Sequence, residues 1–320
     1  MLSLKERDNR NDLQNNSNVK VWTVNESNYF SRVDKFLRKM LKNVPLSAIY
    51  KFLRTGKVKI NGKKVKDPST KLNIGDVIEL IEESLDNYSR EYLELKPVKM
   101  DLDIIYEDEL IIAINKPAGV SVHPGKNVNK PSIIEGLIHY GKENGFEPFL
   151  VHRLDKETSG VLIVAKDRSV ARELSEIISS RNVEKIYNAL VFGKVQKVTI
   201  NTPIDGQDAV SHIIPIEYFR VKLNGISVEL SFLEVEIETG RKHQIRKHLS
   251  SVNCPIVGDK DYGNFRLNRE FSKNFGLKRH FLHCKQMKFV FNGRNYNILA
   301  QLPKDLTTVI KYLNAESGKD

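Results

Sequence analysis

The sequence VHRLDKETSG, residues 151–160, runs directly into the apolar segment VLIVA at 161–165. A short apolar run that follows a glycine is typical of a buried strand. In the segment before that run, Arg153 precedes Asp155 by two positions and Lys156 follows it directly. Most aspartates beside a lysine are solvated turn residues, but polar loops at the ends of buried strands are also where catalytic groups lie. The neighbouring segments decide between these interpretations.

Around this segment the sequence predicts a domain with several strands in succession. Strand-like runs occur at 110–114, 161–165, 187–193, 227–238 and 287–291, and helical periodicity occurs near 132–142, 169–180, 243–252 and 306–313. The triplet LNG at 223–225 predicts a hairpin turn. Because strands and helices do not strictly alternate, the order argues against a doubly wound parallel sheet and predicts an α+β fold.

A smaller unit precedes this domain. Helical spacing joins the apolar residues Val33, Phe36, Leu37, Met40 and Leu41, and then Ile49, Tyr50, Phe52 and Leu53. Ser31 with Asp34 predicts a capping box for the first helix, while Ser47 is predicted to cap the second. Gly56 is placed to end that helix, and Asn61-Gly62 predicts a type I′ hairpin.

The positive charge of the protein is concentrated in this small unit. The chain has 51 Lys and Arg against 40 Asp and Glu, a net charge of +11. From 32 to 66 there are twelve Lys or Arg and one acid, so this segment alone carries a surplus equal to the net charge. Such a surface attracts phosphate backbones through counterion release, although a membrane surface or solubility would also use it. The candidate phosphate contacts are Arg32, Lys35, Arg38, Lys51, Arg54 and Lys57.

Several functional classes are disfavoured by what the sequence lacks. It contains none of the patterns GxGxxG, GxxxxGK[ST], HExxH or GxSxG. His243 and His248 are five apart and do not share a helix face, and Cys254 and Cys284 form no metal-binding spacing, so we predict free thiols and no metal site. The sequence has no run of about 20 apolar residues and no signal-peptide pattern, which predicts a cytoplasmic protein without a membrane partner.

Two further segments combine charged or polar residues with apolar strand or helix sequence. EKIYNALVFG, residues 184–193, carries Tyr187 at the start of a strand, and GRKHQIRKHL, residues 240–249, carries Arg246 in a helix. Taken alone, a tyrosine in such a place is more often a packed core residue than a catalytic one.

Together, HRLDKETSG, EKIYNALVFG and GRKHQIRKHL resemble the three signature segments of the RluA-type pseudouridine synthases. NKPAGVSVHPG at 115–125 is similar to the strand and loop that precede them in that family, and residues 31–80 resemble the S4 RNA-binding domain. The resemblance covers about residues 20–315. It implies a catalytic domain with a mixed, largely antiparallel central sheet and a small N-terminal α/β S4 domain. We expect a disordered tail at 1–20, the S4 domain at 21–82, a linker at 83–98 and the catalytic domain at 99–320.

The resemblance assigns catalytic roles to three residues. Asp155 matches the catalytic aspartate, which either attacks C1′ of the target nucleoside or removes the C2′ proton. Both roles require an ionised carboxylate, and Arg246 matches the arginine that pairs with it. Tyr187 matches the active-site tyrosine, which offers a ring to stack on the base and a hydroxyl near the sugar.

The resemblance also assigns RNA contacts near the catalytic aspartate. Arg153 matches a residue that enters the RNA stack where the target uridine has been extruded. Lys156 and Lys116 are expected to contact phosphates. Lys247 replaces a frequent valine of the family, and residues 264–278 match it poorly, so no role is assigned to either.

The implied reaction turns uridines of large-subunit (23S) ribosomal RNA, free or in a pre-ribosomal large subunit, into pseudouridine. It involves no redox change, so no cofactor is expected, and a monomer is the default state. Three alternatives stay open: the same chemistry on transfer RNA or other ribosomal uridines, a non-catalytic RNA-binding ribosome-assembly factor, and a hydrolase of N-glycosides.

Overall fold

The chain divides into the units Met1–Glu94 and Leu95–Asp320, and its buried hydrophobic residues form three clusters, one in the first unit and two in the second. The computed structural model describes residues 19–41, 44–81, 95–124 and 130–317. Most of the predicted tail, up to residue 18, and most of the predicted linker, residues 83–94, lie outside the described residues.

The first unit is a small sheet with two helices. Its elements are β1 (Val19–Thr23), α1 (Val33–Met40), α2 (Leu46–Arg54), β2 (Val58–Ile60), β3 (Lys63–Lys64) and β4 (Val77–Ile81). The described strands pair antiparallel in the order β1-β4-β2-β3. The helices bury Phe36, Leu37, Ile49 and Phe52 against the sheet residue Ile78, because their apolar residues recur on one side.

The predicted hairpin of this unit is confirmed, and the two predicted helix caps are wrong. Asn61 and Gly62 have φ of 50° and 77°, as a type I′ turn requires. The first helix has Arg32 as its N-cap residue without a side-chain cap, because the Asp34 carboxylate pairs instead with the Arg32 guanidinium at 2.9 Å. The second helix starts at Leu46 after an extended Pro45, which leaves Ser47 inside its first turn.

The second unit holds ten strands among the described residues. The strands are β5 (Ile104–Glu107), β6 (Ile111–Lys116), β7 (Phe149–Leu150), β8 (Ser159–Ala165), β9 (Val183–Phe192), β10 (Val198–Ile200), β11 (Ser211–Leu223), β12 (Ile226–Ile237), β13 (Leu282–Phe291) and β14 (Arg294–Leu299). The helices are α3 (Ile133–Asn144), α4 (Arg168–Ser179), α5 (Gln244–Ser251), α6 (Phe265–Phe275) and α7 (Lys304–Ser317).

These strands form one mixed sheet in the order β10-β11-β12-β9-β13-β8-β6-β5, with β14 beside β13 and β7 beside β8. The pair β13–β8 is parallel and the other described pairs of this sheet are antiparallel. The α+β class with a largely antiparallel sheet is therefore confirmed. None of the helices in the described part of the chain is long and apolar enough to cross a membrane.

The predicted strand and helix cores lie within these elements, and the LNG turn joins β11 to β12, where Leu223 pairs with Ile226. Five strands of this unit, β5, β7, β10, β11 and β14, and the helix α6 were not predicted. A register shift between Pro215 and Glu217 interrupts the alternation of apolar and polar residues in β11, which hides it from a period-2 search.

The parallel contact between β8 and β13 depends on a glycine. Gly160 has φ of +115°, and a Cβ atom there would overlap the carbonyl oxygen of Cys284 in β13. The glycine lets the two backbones approach, and so it fixes the end of β8 from which the loop carrying Asp155 departs.

Candidate active site

Asp155 lies in the loop between β7 and β8, at the end of the central strands. The loop turns on itself, since the Thr158 amide donates to the carbonyl oxygen of Asp155 at 3.1 Å, and Leu154 is buried beside it. The carboxylate remains partly open, with 24% of the side chain exposed. A reactive carboxylate must be both held and reachable, and this loop provides both conditions.

The helix α5 brings Arg246 to Asp155 across 91 positions of sequence. The Nη1 of Arg246 lies 3.4 Å from Oδ2 of Asp155, and only 6% of the arginine side chain is exposed. The arginine that the sequence predicts as charge partner is thus adjacent to the aspartate.

The closest partners of Arg246 are two other carboxylates. Nε and Nη2 donate to the two oxygens of Asp259 at 2.6 Å and 2.8 Å, and Nη2 also donates to Asp261 at 2.6 Å. Asp259 is itself fixed by the backbone amides of Asp261 and Tyr262. A two-point bond of this kind sets the plane of the guanidinium and directs Nη1 towards Asp155.

The sequence reasoning missed this pair of aspartates. Its signal is GDKDYG, residues 258–263, where two acids lie between glycines after the apolar residues PIV. Gly258 has φ of +80°, and a Cβ atom there would overlap the carbonyl oxygen of Arg279, so the turn needs a glycine. Two acids in such a turn are ordinary, and only the contact with Arg246 shows their role.

The ion pair at the base of the site is held in its charged form. Burial opposes the charge of Arg246, yet its bonds to Asp259 and Asp261 and the charge of Asp155 raise its pKa above the ordinary value. Burial would raise the pKa of the Asp259 carboxyl, but bonds from Arg246 and the backbone hold it below the ordinary range. Arg246 therefore presents a fixed positive charge to Asp155.

Tyr187 lies in β9 and forms a wall beside Asp155. Its side chain is buried, and it pairs across the sheet with Cys284 of β13. Burial, and then the neighbouring Cys284, raise its pKa well above the ordinary value, so the hydroxyl stays protonated. Tyr187 and Asp155 line one cavity of about 200 Å³, called here the central cavity. Its apolar lining residues are Leu154, Ile237, Ile245 and Leu282.

A second neighbour of Asp155 is His243, which was weighed from the sequence only as a metal ligand. Its Nε2 lies 3.7 Å from Oδ1 of Asp155, and its Nδ1 lies 3.0 Å from the Tyr262 hydroxyl. The residue precedes α5 with φ of 56°, the left-handed conformation. Burial lowers the pKa of the imidazole, and the Asp155 charge opposes that shift. Within the described ranges, no three or more His, Cys, Asp or Glu side chains are arranged so that they could hold a metal ion.

Among the predicted RNA contacts of this unit, Arg153 and Lys156 are exposed and Lys116 is not. Lys116 has no exposed surface, and its amine donates to the carbonyl oxygens of Pro117, Val120 and Lys156 at 2.6, 2.9 and 3.1 Å. Burial lowers its pKa to about 7. An amine enclosed by three carbonyls cannot reach a phosphate, so the expectation for Lys116 is corrected: it ties its own loop to the loop of Asp155.

The predicted cations of the first unit lie at its surface. Lys35 and Arg38 are exposed on α1, and Lys51 and Arg54 are exposed on α2. Arg32 and Lys57 are partly buried, and Arg32 pairs with Asp34. The helices thus bury one side and present cations on another, as the sequence predicts.

The chain is an RNA-modifying enzyme of the pseudouridine synthase class, as two family models and the named relatives show. The family model for RNA pseudouridylate synthase matches residues 110–251, and the model for the S4 domain matches residues 31–78. The chain belongs to the RNA pseudouridylate synthase family and carries an S4 RNA-binding domain. It is therefore an isomerase by family.

Named relatives are similar to this chain over most of its length. Ribosomal large subunit pseudouridine synthase C of Buchnera aphidicola is 33% identical over 93% of this chain and 98% of the relative. The protein of the same name in Escherichia coli is 34% identical over 90% and 93%. Among solved structures, human RNA pseudouridylate synthase domain containing 4 is 26% identical with a TM-score of 0.51, over 66% of this chain and 92% of that one.

Proposed function

We propose that this protein isomerises uridines of large-subunit (23S) ribosomal RNA to pseudouridine, with Asp155 as the catalytic group. The observation that carries the proposal is the position of Asp155, partly exposed beside the fixed charge of Arg246 and in one cavity with Tyr187. The substrate rests on the two relatives named for large-subunit ribosomal RNA that match nearly the whole chain.

The reaction breaks the bond between uracil N1 and ribose C1′ and rejoins the base through C5. Asp155 attacks C1′ or removes the C2′ proton, and either step needs its ionised form. Arg246 favours that form through its charge at 3.4 Å. The apolar part of the central cavity, with the ring of Tyr187, would keep the detached base in place while it turns.

Delivery of the RNA is divided between the two units. The cations Lys35, Arg38, Lys51 and Arg54 would contribute affinity for the phosphate backbone, together with Arg32 and Lys57. Arg153 would fill the space left by the extruded uridine, and Lys156 would contact phosphate. The protein would act in the cytoplasm, as a monomer, on free RNA or a pre-ribosomal large subunit.

The test is release of tritium from uridine labelled at C5, since formation of pseudouridine exchanges that hydrogen. Wild-type protein should release tritium from transcribed 23S ribosomal RNA, and Asp155→Ala and Asp155→Asn should not. No release by the wild type from any RNA would refute the synthase proposal. Free uracil in the mixture would favour a hydrolase of N-glycosides.

A second measurement identifies the substrate. Pseudouridines would be mapped in ribosomal and transfer RNA from a strain that lacks this gene. Loss of sites in 23S ribosomal RNA is expected, and restoration should require a copy with Asp155 intact. Loss confined to transfer RNA would refute the proposed substrate but leave the chemistry in place.

A further inference from the structure

A second cavity lies beside the central cavity and is lined by four cations. Its volume is about 360 Å³, and it shares Arg153, Tyr187 and Arg241 with the central cavity. Lys185 and Arg181 also line it, and Glu238 is the one acidic side chain among its lining residues. We call it the Lys185 cavity. A surplus of positive charge next to a catalytic centre indicates a place for an anion.

Lys185 is the unusual member of this lining. It is a buried lysine, 6% exposed, and within the described residues its amine makes one hydrogen bond, a long donation to the carbonyl oxygen of Glu238 at 3.4 Å. It forms no ion pair with a carboxylate of the described residues, whereas the buried Arg246 has three. Burying an amine without a carboxylate is costly unless something else supplies the negative charge.

The groups around Lys185 do not supply that charge. Burial raises the pKa of the neighbouring Cys284 thiol to about 12, so this group is neutral near pH 7. The Glu238 carboxylate is directed to other partners, His212 at 2.9 Å and Arg181 at 3.8 Å. Burial lowers the pKa of Lys185 itself. An anion entering the cavity would offset the cost of burying this amine.

The position of Lys185 on β9 indicates which anion that is. Lys185 and Tyr187 are two apart on one strand, so they lie on the same face about 7 Å apart. Tyr187 borders the central cavity, where the target nucleoside would react. The group next to a nucleoside along an RNA strand is a phosphodiester, and arginine and lysine are its usual partners.

We propose that the Lys185 cavity binds a phosphodiester of the RNA strand adjacent to the target uridine, with Lys185 and Arg181 as its ligands. The inference rests on the proposed function for the identity of the RNA. It makes Lys185 a substrate-binding residue. Because Arg153 lines both cavities, the RNA strand would pass this residue between the target uridine and the bound phosphodiester.

The test compares Lys185→Gln and Arg181→Gln with Arg172→Gln in the full-length protein. Arg172 is an exposed arginine on α4 that does not line the cavity, so it is a matched control for loss of one charge. Binding to transcribed 23S ribosomal RNA is measured across a salt series, and KM and kcat are measured by tritium release. Lys185→Arg keeps the charge and should restore most of the affinity.

Each cavity variant should raise Kd and KM about tenfold, as expected for loss of one charge-assisted bond, with kcat within about twofold of wild type. The slope of log affinity against log salt should fall by about one for each lost cation. Arg172→Gln should change neither Kd nor the slope by as much. Unchanged Kd and slope in both cavity variants would overturn the inference, as would a loss confined to kcat.

Two features keep the result interpretable. The Arg181 side chain is 46% exposed and is not part of the core, so Arg181→Gln is expected to fold. If Lys185→Gln fails to fold in a thermal unfolding assay, Arg181→Gln alone tests whether the cavity binds RNA. The Kd and salt slope need no turnover, so they test the cavity even if the wild type releases no tritium. Binding by the variants thus tests the Lys185 cavity, and tritium release by the wild type tests the proposed function, so failure of one is distinguished from failure of the other.

Discussion

Arg246 binds Asp259 with two hydrogen bonds, Nε to Oδ2 at 2.6 Å and Nη2 to Oδ1 at 2.8 Å, whereas its contact with Asp155 is a single one at 3.4 Å. Asp259 therefore holds the arginine in position, and Asp155 makes only a weaker contact with it. The loop 258–263 therefore sets the position of the Arg246 charge beside Asp155.

We predict that Asp259→Asn loses stability and activity together. An amide cannot accept both bonds as a carboxylate does, so Arg246 keeps a buried and poorly paired charge, at a cost of about 3 kcal/mol in the free energy of unfolding. Displacement of its Nη1 should lower kcat about 10²-fold. Urea denaturation and tritium release measure the two effects.

Asp261→Asn is the matched control, because Asp261 accepts from the same Nη2 but its side chain is 62% exposed. It should cost less than about 1 kcal/mol. Equal losses in the two variants would contradict the anchoring role of Asp259.

We predict that Tyr187→Phe folds normally and has a reduced kcat. The ring fills the same place in β9, and loss of one hydroxyl should change the free energy of unfolding by about 1 kcal/mol. Tyr187→Leu removes the flat ring as well and should impair KM in addition. A phenylalanine variant as fast as the wild type would show that the hydroxyl takes no part in the reaction.

Neutralising exposed cations of the S4 domain should weaken binding without slowing the chemical step. The triple variant Lys35→Gln, Arg38→Gln and Arg54→Gln should reduce the salt slope by about two to three, while kcat on saturating RNA stays near the wild-type value. The control replaces exposed cations of the catalytic unit that line none of the described cavities, Arg172, Arg220 and Lys222. A fall of kcat at saturation would refute this division of labour.

Gly160→Ala should be among the most damaging single changes in the second unit. Its φ is +115° and the added methyl group would meet the carbonyl oxygen of Cys284, so β8 and β13 would have to separate. We expect a loss of more than about 3 kcal/mol by urea denaturation. Gly145→Ala, with φ of +76° and open space, should cost about 1 kcal/mol and serves as control. Similar losses at both sites would mean that the close approach of the strands is unimportant.

Acid should destabilise the protein through His280. Burial, with the charge of Arg246 as the next cause, lowers the pKa of this imidazole from 6.5 to about 3. The unfolded chain therefore takes up the proton first, so this contribution to stability is complete above pH 6.5 and is lost as the pH falls towards 3. The slope approaches about 1.4 kcal/mol per pH unit.

The measurement is a series of urea denaturations between pH 7 and pH 5, repeated with His280→Gln. The variant should be less stable at neutral pH, where Thr158 loses its 2.9 Å contact with the ring, and it should respond less to acid. The same acid slope in both proteins would assign the effect to other groups.

Local pattern was sufficient to predict much of the fold. Apolar periodicity predicted the central strands and the main helices, and Asn61-Gly62 and LNG predicted their hairpins, because these signals act between neighbours in the chain. The interrupted strand β11 escaped for the same reason, since its bulge breaks the local alternation. The wrong cap of the first helix shows that a nearby side chain, Arg32, can pair with the carboxylate on which a local motif depends, and that of the second shows that a helix can start one residue earlier than its capping signal.

The sequence by itself determined the class of protein, through three segments that resemble those of the family and contain Asp155, Tyr187 and Arg246. The tertiary structure alone decided that Arg246 is anchored by Asp259, that His243 faces Asp155, that Lys116 is enclosed by carbonyls and that Lys185 is buried at a cationic cavity. The physical reason is that a charge acts through its surroundings. Burial and the nearest partner are set by strands and loops that pack together from distant parts of the chain, and no local pattern contains them.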